Sequence, residues 1–195
     1  MIKAIIFDFF GVLVGDGFDF TYRQAGGDPE KDKAFIEDLL ERANRAKISH
    51  DDFRQEVCQK LGITHEQYQQ AISKAELPNT ELLNFIKRLR PNYKTAVLSN
   101  ANKGSLERRI SREELMKYFD VIVESGSVGY IKPELQIYEL TAAKLGVKAE
   151  ECVFIDDRIG YVQAASELGM KSIWYRDFGQ MKAQLAIYLT AGPNN

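Results

Sequence analysis

Cysteine and histidine are scarce, at two residues each in a chain of 195. Cys58 and Cys152 lie far apart in amphipathic or apolar surroundings, which excludes a disulfide-stapled scaffold and fits two reduced, packed thiols. The expected compartment is the cytoplasm. His50 and His65 each fall at an expected helix start without a ligand-spaced partner, so solvated or capping roles are expected of them rather than metal binding. Strong charge of one sign is missing as well. The 26 basic residues nearly balance 28 acidic ones, for a net charge of -2, and this gives no long-range attraction for phosphate backbones or anionic lipid. Neither nucleic acid nor membrane is an expected partner. The apolar run at the N-terminus is interrupted by Asp8 and followed by no small-residue cleavage site, which speaks against a signal peptide or a membrane span. The sequence contains no internal repeat and no low-complexity segment.

What is present is core material, with 45% hydrophobic residues, and a pattern that organises it. Short apolar runs recur at 2–9, 95–98, 121–123, 153–155 and 172–175, with helical periodicity between them over 81–90, 106–118, 134–145, 162–168 and 181–189. Continuous rather than alternating apolar strands have both faces covered, which predicts a doubly wound α/β fold around a parallel sheet. Pro133 is expected to open a helix, and Gly146 and Gly169 to close two others. Between Gly15 and Asn79 no strand-like run occurs. Three apolar stripes run through that segment: Phe35, Ile36, Leu39, Leu40 and Ala43; Phe53, Val57 and Leu61; Tyr68, Ile72 and Ala75. Ser49 with Asp52 and Thr64 with Gln67 have capping-box spacing. A helical insertion of this size after the first strand has to stand outside the sheet near that strand's carboxyl end. The expected division is therefore a core of 1–14 and 80–195 with a helical cap of 15–79, hinged at Gly15-Asp16-Gly17 and around Pro78-Asn79.

Three of the expected strands end in short polar groups: Asp8 after Phe7, Ser99 and Asn100 after Leu98, and Asp156-Asp157 after Ile155. A single strand-end aspartate is usually a cap of a turn or helix. In an open parallel sheet, however, the ligand crevice lies beyond the strands' carboxyl ends, so these residues are expected to share one site. Three carboxylates gathered there repel one another and call for a hard cation, for which Mg²⁺ with oxygen ligands is the natural candidate.

In this order, the residues resemble the haloacid dehalogenase superfamily of hydrolases. Four motifs carry the resemblance: Asp8-Phe9-Phe10-Gly11-Val12-Leu13, Leu98-Ser99-Asn100, Gly129-Tyr130-Ile131-Lys132-Pro133 with Ile137-Tyr138, and Ile155-Asp156-Asp157 leading to Gly169-Met170. The resemblance covers nearly the whole chain and implies a Rossmann-like core with a helical cap. It also implies a small phosphorylated metabolite as substrate and Asp8 as nucleophile, forming an aspartyl-phosphate. Ser99 and Lys132 would bind the transferring phosphoryl group, and Lys132 would also neutralise Asp8. Mg²⁺ would be held by Asp8, Asp156, Asp157 and the backbone carbonyl of Phe10, with Asn100 on the substrate side.

Phe10 departs from the pattern. The family's phosphatases usually carry an aspartate there, which protonates the leaving oxygen and then activates water, and phenylalanine does neither. Three readings follow: a Mg²⁺-dependent phosphatase working without that acid, a metal-free 2-haloacid dehalogenase with an arginine such as Arg23 as anion binder, and a weakened phosphate-binding or interaction protein. The paired acids at 156 and 157 speak for the first. Tyr22, Arg23, Arg45 and Lys47 are candidate substrate contacts from the cap, Arg158 either steadies the acids, faces an anion or is a surface arginine at a helix start, and Trp174 is expected to pack in the core or at a strand edge, with contact to the cap as the alternative. The stripe of Met181, Leu185, Tyr188 and Leu189 suits a packing helix or a dimer interface, so monomer and homodimer both stay open.

Overall fold

The computed structural model of the chain describes residues 1–15 and 18–190. Five parallel strands form one sheet: β1 (Ala4–Phe7), β2 (Lys94–Ser99), β3 (Val121–Glu124), β4 (Cys152–Asp156) and β5 (Lys171–Trp174), in the order β3-β2-β1-β4-β5. All five lie within the expected apolar runs or one residue beyond them. Side chains alternate between two covered faces, as the continuous runs require. Ile5, Phe7, Val97, Val153 and Ile155 point to one face, where Leu82, Ile86, Met181 and Leu185 cover them. Ala4, Ile6, Ala96, Leu98 and Phe154 point to the other, under Ile137, Tyr138, Ala142 and Ala165. Each large apolar side chain fully removed from water in these layers contributes about 1.5–3 kcal/mol, so the central strand β1, buried along its whole length, is fixed in register by both layers at once.

The chain runs outward from β1 to β3 and then returns to β4 on the other side of β1. The strand order therefore reverses between β1 and β4, and this is where a doubly wound sheet opens its crevice. Four helices leave the sheet after β1: α1 (Phe18–Gln24), α2 (Lys33–Asn44), α3 (His50–Leu61) and α4 (His65–Ala75). They carry an apolar cluster of their own, with Tyr22, Ile36, Leu39, Val57, Tyr68 and Ile72 at its centre. Both expected capping boxes form, at Ser49 with Asp52 and at Thr64 with Gln67. The two connections to this unit run side by side: the Gly15 amide donates to the Leu77 carbonyl at 2.9 Å and the Asn79 amide to that of Leu13 at 2.8 Å. Asp16 and Gly17, the rest of the expected first hinge, lie outside the described residues.

The remaining helices are α5 (Thr80–Leu89), α6 (Arg112–Leu115), α7 (Ser125–Val128), α8 (Leu135–Leu145), α9 (Ile159–Glu167) and α10 (Phe178–Thr190). The single helix expected over 106–118 is instead a 3₁₀ turn at Leu106–Arg108 followed by α6. Ser111 causes the break, because its side chain accepts the Glu114 amide and starts a new helix in the middle of the periodic run. Pro133 does not open α8 either; Glu134 is the cap and helical geometry begins at Leu135. Gly146 caps α8 in the left-handed conformation, at φ 66°, as expected.

Candidate active site

Asp8 follows β1, Asp156 ends β4 and Asp157 follows it, while Ser99 ends β2. The ladder delivers them to one place, because Phe7 is in register with both Val97 and Ile155. The Asp8 amide extends that ladder by donating to the Ile155 carbonyl at 2.8 Å. Oxygens of Asp8, Asp156 and Asp157 lie within 4.8 Å of one another. Lys132 reaches into them from the loop before α8, with its Nζ 2.8 Å from Asp8 Oδ1 and 2.6 Å from Asp156 Oδ2. Its side chain is 1% exposed, so the ammonium is held by these two acids and the Leu98 carbonyl at 3.3 Å.

The electrostatics follow from burial around an excess of acid. Desolvation, and after it the Asp156 carboxylate, push Asp8 up to about 7 against the pull of Lys132. The same two causes raise Asp157 to about 6. Burial lowers the basicity of Lys132, but Asp156 and Asp8 outweigh it and hold the ammonium above its ordinary range. One ammonium is thus set against three acids, and two of these resist ionisation. A divalent cation would remove that resistance, and the donors suit one: they are all oxygen, as Mg²⁺ prefers. The loop after Asp8 supplies another. The Phe9 carbonyl accepts the amides of both Leu13 and Val14, which leaves the Phe10 carbonyl without a partner among the described residues. Gly11 makes room for the cluster, since at φ +84° an added Cβ would stand 2.3 Å from Asp157 Oδ2.

These groups form the floor of a cavity of about 160 Å³ to which Asp8, Ser99, Lys132, Asp157 and Arg158 contribute. Its walls come from both sides of the seam between the sheet and the four-helix unit. Phe10 lines it, with its ring edge-on to Phe9 at 5.0 Å between centroids. Phe18, Leu40, Phe53, Tyr68 and Ile72 supply an apolar wall from α1 to α4, and Glu76 and Arg109 meet in an ion pair across the seam. Glu124 orients the loop that carries Arg109 by accepting the Gly104 and Leu106 amides at 2.8 and 3.1 Å. Further ties close the seam. Asn102 Nδ2 donates to the Ile48 carbonyl at 2.7 Å, Ser125 Oγ to the Asn44 carbonyl at 2.6 Å, and Arg45 pairs with Glu134 at 2.7 Å.

Several expected contacts are placed elsewhere. Arg23 is exposed on α1, with Glu30 at 3.8 Å, and does not line the cavity. Tyr22 is fully buried among the four helices and donates its hydroxyl to Asp32 at 2.9 Å. Arg45 serves the seam, and Lys47 is exposed away from the lining. Asn100 lines the cavity, but its amide is committed to the Lys132 backbone: Oδ1 accepts the Lys132 amide at 2.7 Å and Nδ2 donates to its carbonyl at 2.8 Å. Three contributors escaped sequence reasoning. His50 is not a solvated cap but lines the cavity, with its imidazole held below the ordinary value by burial and then by Arg108 and Arg109. Arg109 had no motif to mark it. Trp174 is half exposed, and its indole N–H holds the Asp157 carbonyl at 2.8 Å; only its position at the end of a strand next to the paired acids hinted at this.

A family model for haloacid dehalogenase-like hydrolases matches residues 2–169. The chain belongs to that family. Among the relatives of this hydrolase is a D-ribitol-5-phosphate phosphatase from Bacteroides thetaiotaomicron, 26% identical over 98% of this chain and 100% of its own. A HAD-like family hydrolase from Porphyromonas gingivalis has the same fold with a TM-score of 0.79 and 27% identity, covering 98% of this chain and 100% of its own. A HAD family enzyme from Bacteroides thetaiotaomicron, crystallised with magnesium and inorganic phosphate, aligns with a TM-score of 0.72 at 21% identity, over 93% of this chain and 99% of its own.

Proposed function

We propose that this HAD-like hydrolase is a Mg²⁺-dependent phosphatase of small phosphorylated metabolites that works through an aspartyl-phosphate on Asp8. The observation that carries the reading is the placement of a buried carboxylate on the cavity floor, 2.8 Å from the Lys132 ammonium and within 4.8 Å of two further acids. A phosphatase activity named for a relative aligned along the whole chain supports it. Asp8 attacks phosphorus in line, and Lys132 favours its carboxylate form against burial and Asp156 while offering positive charge to the phosphoryl oxygens. Ser99, 1% exposed at the end of β2, faces the same group with its hydroxyl. Asn100 is a positioning residue that fixes the Lys132 backbone. Asp8, Asp157 and the Phe10 carbonyl would hold Mg²⁺, which when bound neutralises charge on the phosphoryl oxygens. Asp156 belongs to the same oxygen cluster, although its Oδ2 is engaged by Lys132 and its Oδ1 by the Arg158 amide at 2.8 Å. Residues 15–79 act as a cap that closes over the crevice, and 1–14 with 80–195 as the catalytic core.

Metal-free dehalogenation gives the paired acids nothing to do, and Arg23 stands outside the cavity. The test is phosphate release from p-nitrophenyl phosphate and sugar phosphates with Mg²⁺. Release by the native protein and only background release by Asp8→Asn is the expected result. Chloride release from 2-chloropropionate in the presence of a chelator would overturn it, and so would phosphate-analogue binding without turnover of any ester.

A further inference from the structure

Two features of the cavity restrict what the phosphate can be attached to. The first is a scarcity of acids for the leaving oxygen: among the described residues, the only carboxyl on the lining outside the cluster of Asp8, Asp156 and Asp157 is that of Glu76. Phe10 stands at the mouth of the Asp8 loop with no proton to give. Glu76, the other carboxyl on the cavity wall, is locked by Arg109 on one oxygen and accepts from Thr21 Oγ1 at 3.3 Å on the other. His50 is opposed in its protonation by burial and then by the charge of Arg108 and Arg109. The hydroxyls left on the lining, those of Tyr68, Ser105 and Tyr161, are far weaker acids than a carboxyl, so an ester oxygen departs carrying most of the negative charge. A phenol-like hydroxyl, with a pKa of about 10, tolerates that far better than an alkanol, whose acidity lies near that of water at about 15.7.

The second feature is the apolar part of the wall. Phe10, Phe18, Leu40, Phe53 and Ile72 present carbon where the non-reacting part of a substrate would lie. A polyol lying against these five side chains would leave its hydroxyls on that side without partners, with polar contacts confined to the part of the lining that carries Asn44, His50, Asn102, Ser105 and Tyr161. The size limits the occupant to a compact one, since the cavity measures about 160 Å³ with its polar floor included and a single benzene ring already takes up about 150 Å³ of a dry apolar cavity.

Resting on the phosphatase reading, we propose that the substrates are monoesters of acidic hydroxyls on a small apolar body, that is, aryl phosphates. In the first step an Asp8 oxygen forms a bond to phosphorus, the bond from phosphorus to the phenolic oxygen breaks, and the electron pair leaves with that oxygen. In the second, water attacks the phosphorus and the Asp8 carboxylate departs. One water is consumed, and its two hydrogens finish on the phenol and on the phosphate. The acidity of the leaving hydroxyl takes the place of the missing acid. This preference differs from the polyol ester named for the Bacteroides relative.

The test is a comparison of kcat/KM for phenyl phosphate, cyclohexyl phosphate and ribose 5-phosphate with Mg²⁺. The first two match in size and differ in leaving-group acidity, and the third is polar. Phenyl phosphate is expected to exceed both others by about 10²-fold or more, the scale of general acid catalysis forgone. Phe10→Asp is expected to raise the rate with cyclohexyl phosphate more than that with phenyl phosphate, which narrows their ratio. A native ratio below about tenfold against either comparator overturns the aryl assignment and leaves the phosphatase standing. No release from any of the three, nor from p-nitrophenyl phosphate, overturns both. If Phe10→Asp does not fold, the comparison on the native protein decides alone.

Discussion

Replacing Lys132 with methionine keeps an unbranched side chain one atom shorter and removes its charge. The ammonium lies 2.8 Å from Asp8 and 2.6 Å from Asp156 at 1% exposure, so the variant leaves two buried carboxylates uncompensated. Breaking a buried pair in this way costs about 3–5 kcal/mol. For a chain of this size 1 kcal/mol corresponds to roughly 2–4 °C in Tm, so the melting temperature is expected to fall by about 6–20 °C. The loss depends on pH with a definite sign. Asp8 titrates at about 7 in the folded chain with Lys132 present, above its ordinary value of 3.8, and higher without it. A carboxyl raised on folding leaves stability untouched at low pH, erodes it as pH rises from the unfolded towards the folded pKa, and imposes its full cost above. Urea denaturation in chelator should therefore show the whole deficit at pH 8.5 and a smaller one at pH 5.5, where the abandoned carboxyls take up protons. Mg²⁺ should restore part of it, about 2.7 kcal/mol at a hundredfold excess over Kd. A deficit below about 1 kcal/mol at pH 8.5, or one equal at both pH values, would refute the picture of acids that rely on this ammonium.

Gly11→Ala forces a side chain into backbone at φ +84° and into the Asp157 carboxylate. Roughly 1–3 kcal/mol of stability should be lost, together with Mg²⁺ affinity, as read by calorimetric titration; unchanged affinity would place the metal away from Asp157. Arg109→Met deserts the Glu76 carboxylate, whose side chain is 8% exposed. Native-state proteolysis of the four-helix unit should quicken as the seam loosens, and an unchanged cleavage rate would mean that the other ties suffice.

The parallel sheet and its polar strand ends were legible because two independent signals coincide there: continuous apolar runs, and short polar residues placed where each run stops. The site floor inherits that clarity, since the ladder register carries Asp8, Ser99, Asp156 and Asp157 to one rim. The wall does not. Periodicity marks Leu40, Phe53 and Ile72 as apolar faces, but the same stripes serve burial among the four helices and contact with the cavity. Which edge of a stripe turns towards the core depends on the seam, whose ties at Asn102, Ser125 and Glu134 join residues more than fifty positions apart. Arg23 stands off the lining for the same reason, as charge near a hinge does not determine which way the helix turns. The break at Ser111 went unseen because the apolar spacing runs through it and only the hydroxyl's bond to Glu114 interrupts the helix.

Asn102 and Ser125 grip main-chain carbonyls of the helical insertion, at Ile48 and Asn44, rather than side chains. Such fastenings survive whatever residue evolution installs at positions 44 and 48. Asn44 itself lines the cavity, so the lining there can be exchanged while the four-helix unit stays anchored. Attachment and lining are thereby adjustable apart from each other, and the cavity can be reshaped without re-engineering how the four helices are held down.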